Sequence, residues 1–183
     1  MELYHDLSTL MDNPANIYYS KYLKQIMSQC LCISHTDDQF ETPNDLMEWL
    51  NSSLRNTHRG YYRFRKGPKL KALKPGSIVL FHKKGLIIGS AVVEKASRPL
   101  TQSEIDECDE IYGTSNGCSK MKNIIKFFPN SIWVWDEHEL VSADEFEEIT
   151  GEELRHYIYV KPAHVLEIYR LVAEKRQAME SWV

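Results

Sequence analysis

Apolar residues recur at helical spacing over the first third of the chain. Asn13 and Pro14 are typical of a helix start, and the apolar pattern that follows predicts a helix from Pro14 to Cys32. Thr42 begins a second predicted helix, in which proline again stands at the first helical position. Four apolar residues form the core-facing stripe of this second helix: Leu46, Trp49, Leu50 and Leu54.

The pattern changes from helical spacing to alternation at Tyr61. Tyr62 and Phe64 alternate with Arg63 and Arg65, which is typical of a half-exposed strand. Capping signals predict helices that begin near residues 101, 142 and 162. Runs rich in β-branched and aromatic residues predict strands at 77–81, 86–94, 124–128, 131–135 and 157–160, the first two joined by a loop over His82–Gly85.

The order of the predicted elements indicates the fold class. Helices come first, then several strands interrupted by short helices, and finally one more helix. Long helices do not alternate regularly with strands, which disfavours a doubly wound parallel sheet. We therefore expect an α+β fold, a small mixed β-barrel flanked by helices. Residues 1–38 would form an N-terminal helical extension, and residues 39–183 the barrel domain with its C-terminal helix.

Length and composition fit one globular domain. The chain has 183 residues, of which 43% are hydrophobic and 26% charged. Its polar, acidic start is unlike a signal peptide, and the longest apolar run, Leu86–Val93, is too short to span a bilayer. We expect a cytoplasmic protein with no membrane partner and with reduced cysteines. The spacing of the four cysteines does not match a zinc site, so no metal or other cofactor is predicted.

Charge is distributed unevenly along the chain. The formal net charge is −4, but Glu94 is the only acidic residue between Arg55 and Lys95. Residues 101–153 are instead rich in Asp and Glu. A chain divided in this way can present a basic face to a polyanion although it is acidic overall. The alternative is a dipolar, solvated surface.

Four segments carry a resemblance to a known superfamily. The barrel hairpin of PUA-like domains, which include the EVE, YTH and ASCH domains, resembles residues 74–81 (KPGSIVLF) and 84–93 (KGLIIGSAVV). The later part of PUA-like modules attached to modification-dependent restriction nucleases is similar to residues 128–135 (FPNSIWVW) and 142–146 (SADEF). The resemblance implies a reader that flips a modified base, methylated or hydroxymethylated cytosine, into an aromatic pocket. It also implies the targeting part of a restriction or defence system, with a nuclease or NTPase subunit as partner.

The residues needed by such a reader are present. Extruding a base costs a few kcal/mol of stacking and pairing, which aromatic faces and phosphate-binding cations offset. The candidate base pocket consists of Tyr61, Tyr62, Phe64, Ser90, Trp133, Trp135 and Asp136. The candidate phosphate-binding residues are Arg55, Arg59, Arg63, Arg65, Lys66, Lys69 and Lys71. Each ring has an alternative place in the core, and Gly89 permits close approach either of a base or of a neighbouring strand.

No motif of a self-sufficient enzyme is present, so we expect a binding module that favours DNA over RNA. Three alternatives stay open. The first is an RNA reader of the YTH or ASCH type, and the second is a protein-interaction domain whose aromatic strand docks a partner. The third is a small metal-dependent nuclease that uses Asp136, Glu137 and His138, although charge in this position is more often simply solvated.

Overall fold

The computed structural model of the protein describes residues 29–35, 40–65, 67–112 and 121–181. Most of the helix predicted from Pro14, the candidate Lys66, and Cys118 lie outside these residues. The strands are β1 (Cys30–Ser34), β2 (Tyr61–Phe64), β3 (Ile78–Lys83), β4 (Leu86–Pro99), β5 (Asn123–Phe127), β6 (Trp133–Val134), β7 (Val141–Ser142) and β8 (Tyr157–Val160). The helices are α1 (Pro43–Glu48), which a π-helix (Trp49–Thr57) continues, α2 (Pro68–Lys71), α3 (Gln102–Tyr112), α4 (Ala143–Thr150) and α5 (Pro162–Glu180).

All eight described strands belong to one mixed sheet, which confirms the α+β class. Its strand order is β2-β5-β4-β3-β1-β8, and the short strands β6 and β7 both pair with β4. The β1–β3 pair is parallel and the other pairs are antiparallel. Within the described part of the chain, no helix is long and apolar enough to cross a membrane.

The strand β1 corrects the sequence prediction, which placed Cys30–Cys32 in a helix. This segment instead lies between β3 and β8, with four consecutive buried residues. A strand buried on both faces has no polar alternation, so its apolar run cannot be told from a helix by periodicity. The predicted boundary at residue 38 therefore follows a strand of the central sheet.

The predicted loop at His82–Gly85 is also shorter than expected. His82 and Lys83 belong to β3, and only Lys84 and Gly85 make the turn. Both turn residues have positive φ angles, 48° and 77°. This is the requirement of a two-residue type I′ hairpin, whose twist matches that of the strands it joins.

The core fills the inner side of the sheet. The buried stripe of α1 and the π-helix packs there with the buried face of α5. Cys30 and Cys32 are buried free thiols, and desolvation raises the pKa of each. The fully buried apolar side chains include Leu46, Leu50, Leu54, Phe81, Phe127, Val165, Ile168 and Val172.

Candidate functional site

A cleft of about 400 Å³ lies between the helix that contains α1 and the strand β6. It brings together three residues of the predicted base pocket and one predicted phosphate contact, namely Trp133, Trp135, Asp136 and Arg55. The helix adds Met47, Glu48 and Asn51, and β6 adds Val134. The lining residues come from two distant parts of the sequence, 47–55 and 133–136, so the cleft forms only when the helix packs against the sheet.

The position of β6 depends on a glycine in β4. Gly89 pairs with Val134, and Ser90 pairs with Trp133. A Cβ atom at Gly89 would collide with the backbone carbonyl of Trp133 and would lie 3.1 Å from the Cα of Val134. Gly89 is therefore needed for close approach of a neighbouring strand, not of a base.

Trp133 is half-buried and forms one wall of the cleft. Its ring lies 5.9 Å from the ring of Tyr169, and the Arg176 guanidinium lies 5.2 Å from the Trp133 centroid. These contacts hold the indole in a fixed orientation. A preoriented indole loses little conformational entropy when a flat ligand stacks on it.

Trp135 is fully buried, with 0% of its surface exposed. Its ring packs edge-on against Trp133 at 5.9 Å, and its backbone N–H donates to Ile88. The indole Nε1 is buried without a hydrogen-bond partner among the described residues. Trp135 thus does not offer an open ring face as predicted, and its distinctive group is a buried donor.

Arg55 is held by the protein on two sides. One terminal nitrogen donates to Asn51 Oδ1 at 2.7 Å, and the other donates to the carbonyl of Ile132. The Nε is buried and lacks a partner within the described ranges. Two lining residues, Arg55 and Trp135, therefore each leave one donor unsatisfied, which is costly unless an acceptor fills the site.

The exposed rim of the cleft supplies acceptors. Glu48 and Asp136 are both exposed carboxylates among the lining residues. Asp136 caps the short 3₁₀ turn Glu137–Glu139, and its backbone N–H donates to Glu139 Oε2 at 3.0 Å. The cleft thus combines an aromatic wall, inner donors and outer acceptors.

Four predicted pocket residues lie outside the cleft, and this corrects their assignment. Tyr62 and Phe64 are core residues, because they point to the inner side of β2 and are buried. The Tyr62 hydroxyl contacts His35 Nε2 at 3.1 Å, and burial raises the pKa of Tyr62. Ser90 is buried in the middle of β4. Tyr61 is half-buried on the outer side of β2, away from the lining residues.

The predicted phosphate-binding residues differ in their environment. Arg59, Arg65 and Lys71 are exposed, whereas Arg63 is half-buried. Lys69 is engaged by the protein, since its Nζ donates to the carbonyl of Tyr157 at 2.8 Å. Phosphate binding by the exposed arginines and Lys71 stays a prediction.

A possible metal-ligating group lies beside the cleft. One ligand atom from each of Asp136, His138 and Glu139 lies within 4.8 Å of the other two. Glu139 is buried and accepts a hydrogen bond of 2.5 Å from Arg176 Nε. Burial would raise the pKa of Glu139, but the bonds from Arg176 and the Asp136 backbone lower it overall. The sequence prediction named Glu137 instead of Glu139, although the Asp-x-x-Glu spacing of the capping box indicates the pair that meets.

On the helical side of the cleft, sequence reasoning named Arg55 but missed Met47, Glu48 and Asn51. Met47, Asn51 and Arg55 follow one another at four-residue spacing, directly beside the buried row of leucines. A polar row next to a core stripe marks the border of a helix face, which is where a cleft can open. Comparison of the chain with known protein families, with curated proteins and with solved structures gives no match.

Proposed function

We propose that the protein is a nucleic-acid-binding module that accepts one extruded base in the cleft, with DNA carrying a modified cytosine as its ligand. The observation that carries this proposal is the combination of the half-buried Trp133 ring with unsatisfied donors on Arg55 and Trp135. A nucleobase is flat, and its ring carbonyl and ring nitrogen atoms accept hydrogen bonds. Such a ligand can stack on Trp133, and its acceptors suit the two donors, which side-chain movement must first expose because both are buried.

The rim favours a base that also carries an exocyclic amine. Cytosine has such an amine at N4, which donates hydrogen bonds. Glu48 and Asp136 are positioned at the cleft to accept them. Stacking on Trp133 contributes about 1–3 kcal/mol, which is similar to the cost of extruding the base. The cations of the basic segment then supply the attraction to phosphate.

We further propose that the sheet closes into the small PUA-like barrel that the sequence resembles. The two ends of the strand order approach each other, which supports this. Tyr62 on β2 bonds His35, the residue after β1, and Lys69 in α2 bonds Tyr157 on β8. In this proposal the module is the targeting part of a restriction or defence system in the cytoplasm, and a nuclease or NTPase subunit acts with it.

Binding to matched duplexes tests the base-reading function. The duplexes differ only in one cytosine, which is plain, methylated or hydroxymethylated, and affinity is measured by fluorescence anisotropy. Trp133→Ala should weaken binding to the preferred modified duplex about 10- to 100-fold, because one stacking contact is lost. Tyr159→Ala is the matched control, since Tyr159 is an exposed ring on β8 outside the cleft.

Trp135→Phe removes the buried donor with a smaller loss of volume than truncation. Trp135→Ala would open a core cavity and cost about 3–5 kcal/mol of stability, so truncation cannot test the site. Phenylalanine keeps a six-membered aromatic ring but lacks Nε1 and the rest of the five-membered ring, so stability is measured beside affinity, and affinity for the modified duplex should fall about three- to tenfold. Unchanged affinity in both Trp133→Ala and Trp135→Phe would contradict the cleft assignment. Tighter binding to single-stranded RNA would favour the RNA reader, and binding that ignores salt would favour a protein partner.

A metal-dependent nuclease is the second candidate, favoured by the grouping of Asp136, His138 and Glu139. Its test is cleavage of the same duplexes with magnesium or manganese. Cleavage that requires the metal and disappears in Asp136→Ala would establish the nuclease. We expect no cleavage, because the Arg176 guanidinium already neutralises Glu139.

A further inference from the structure

The outer side of β2, β5 and the second half of β4 carries two rows of side chains. In the first row Tyr61 lies opposite Lys126, which lies opposite Lys95. In the second row Arg63 lies opposite Ile124, which lies opposite Arg98. Directly opposite residues project to the same side of a sheet, and Tyr62 and Phe64 point inward. We name the five outward polar residues the outer ladder face: Tyr61, Arg63, Lys95, Arg98 and Lys126.

Side chains of the first row are in contact with each other. Lys126 Nζ lies 5.3 Å from the centroid of the Tyr61 ring, within cation–π range. Arg63 is half-buried beside them, and its Nε lacks a hydrogen-bond partner in the part of the chain that the structure describes.

Positive charge is in excess on this face. Its four cations meet two carboxylates, Glu94 at 2.7 Å from Lys126 Nζ and Glu104 at 2.6 Å from an Arg98 terminal nitrogen. Three exposed cations stand at the ends of the same strands, namely Arg59, Arg65 and Lys122. A surface with this balance attracts a polyanion, and its hydrogen-bond donors outnumber the acceptors that the protein supplies.

The face and the cleft are joined along the chain. Arg55 lines the cleft, Arg59 is exposed after the π-helix, and β2 begins at Tyr61, six residues beyond Arg55. Arg59 therefore lies in the sequence between the two candidate contact sites.

We propose that the outer ladder face is the phosphate-binding surface of this protein, with Lys95, Arg98 and Lys126 as contacts beside Arg63. This rests on the proposed function in one respect, that the ligand is nucleic acid. The main electrostatic contact is then made by residues of three strands that are far apart in the sequence, and not by one continuous basic segment. Lys69 and Lys71, which precede β3, lie outside this surface.

The test is the salt dependence of affinity in charge variants, measured with plain and modified duplexes. Arg63→Gln combined with Lys126→Gln should weaken binding to both duplexes by the same factor. The plot of log affinity against log salt concentration should become less steep, its slope changing by about 0.9 for each lost phosphate contact. The matched control is Lys84→Gln combined with Lys161→Gln, two exposed lysines outside the face, and it should keep the wild-type slope.

A variant that should raise affinity controls for misfolding, because a misfolded protein would not bind more tightly. Glu104→Gln releases Arg98 from its ion pair, so affinity for both duplexes should rise severalfold with a steeper salt slope. An unchanged slope in the double variant, or an equal loss in the control, would overturn the assignment of this face. Salt-dependent binding without preference for a modified base would instead overturn base reading and leave the face intact. A wild-type protein that binds neither duplex would refute both.

Discussion

Two histidines, His35 and His82, are buried in the neutral form. The His82 Nε2 contacts the Arg155 carbonyl at 3.0 Å, and Lys83 Nζ donates to the His35 carbonyl at 3.3 Å. Desolvation first, and then the nearby charges of His82, Lys83 and His156, lowers the pKa of His35 to about 3. Desolvation and His156 lower that of His82 to about 4, against a favourable bond to Arg155. Protonation of either ring is therefore linked to unfolding.

The free energy of unfolding should fall as the pH is lowered from 6.5. The unfolded chain takes up protons at about pH 6.5, whereas the folded histidines remain neutral until about pH 4 and pH 3. The contribution of the two neutral histidines to the free energy of unfolding is fully present above pH 6.5. Below that pH it decreases by up to about 1.4 kcal/mol per pH unit for each histidine. Urea unfolding at pH 7, 6 and 5 measures this slope while ordinary carboxylates stay ionised. His82→Gln should reduce the slope, and equal stability at pH 7 and pH 5 would contradict the linkage.

The sequence predicted which residues belong to the site better than it predicted how far each side chain is exposed. The sequence placed Trp133, Asp136 and Arg55 in a common site, and the structure brings them to one cleft. It could not show that Trp135 is covered, because its cover includes Tyr169, which lies 6.3 Å away on α5. Alternation along a two-residue strand does not reveal which helix packs on it.

The helix that begins with α1 widens into a π-helix at Trp49. The His58 N–H donates to the Ser53 carbonyl, five residues earlier, at 2.7 Å. Leu46, Leu50 and Leu54 are all fully buried at a strict spacing of four. This spacing drifts around an α-helix of 3.6 residues per turn, whereas a wider turn keeps the three leucines aligned. The helix was predictable from its stripe, but its wider turn was not.

The helix α5 is anchored by a buried ion pair. Glu139, whose side chain is 1% exposed, pairs with Arg176, while Lys175 donates to the Leu140 carbonyl and pairs with Glu145. Arg176→Met should lower the free energy of unfolding by about 2 kcal/mol, because the buried Glu139 would lose its cationic partner and keep the Asp136 backbone N–H.

An exposed pair in the same chain provides the control for this change. Arg155 and Glu153 lie 3.3 Å apart, and their side chains are 73% and 70% exposed. Arg155→Met should cost at most about 0.5 kcal/mol. Both variants are compared by urea unfolding at pH 7. Equal effects would show that Arg176 does not anchor the helix through its charge.

Across the whole molecule, two side-chain hydrogen bonds connect distant parts of the strand order. The bond from Tyr62 to His35 joins β2 to the end of β1, and the bond from Lys69 to Tyr157 joins α2 to β8. The sequence predicted a small mixed β-barrel from its short strands and turns, and the structure shows the mixed sheet. The sequence could not predict the strand order, since β1 inserts between β3 and β8 through contacts that span most of the chain.

Tyr62→Phe tests the bond between Tyr62 and His35. Loss of the hydroxyl leaves His35 Nε2 buried without its partner, so the free energy of unfolding should fall by about 1–2 kcal/mol. Tyr159→Phe, at an exposed position on β8, should leave stability unchanged. Affinity for modified duplexes should be the same in both variants at a temperature where each is folded. A selective loss of affinity in Tyr62→Phe would return this ring to the binding site.

The two thiols of β1 can report chemically on opening of the sheet. Alkylating reagents attack thiolates, and neither Cys30 nor Cys32 can ionise or meet a reagent while β1 stays between β3 and β8. Their labelling therefore reports opening of the contacts between β1 and its neighbours β3 and β8. Peptide mapping of residues 30 and 32 reads out this opening without any inserted probe.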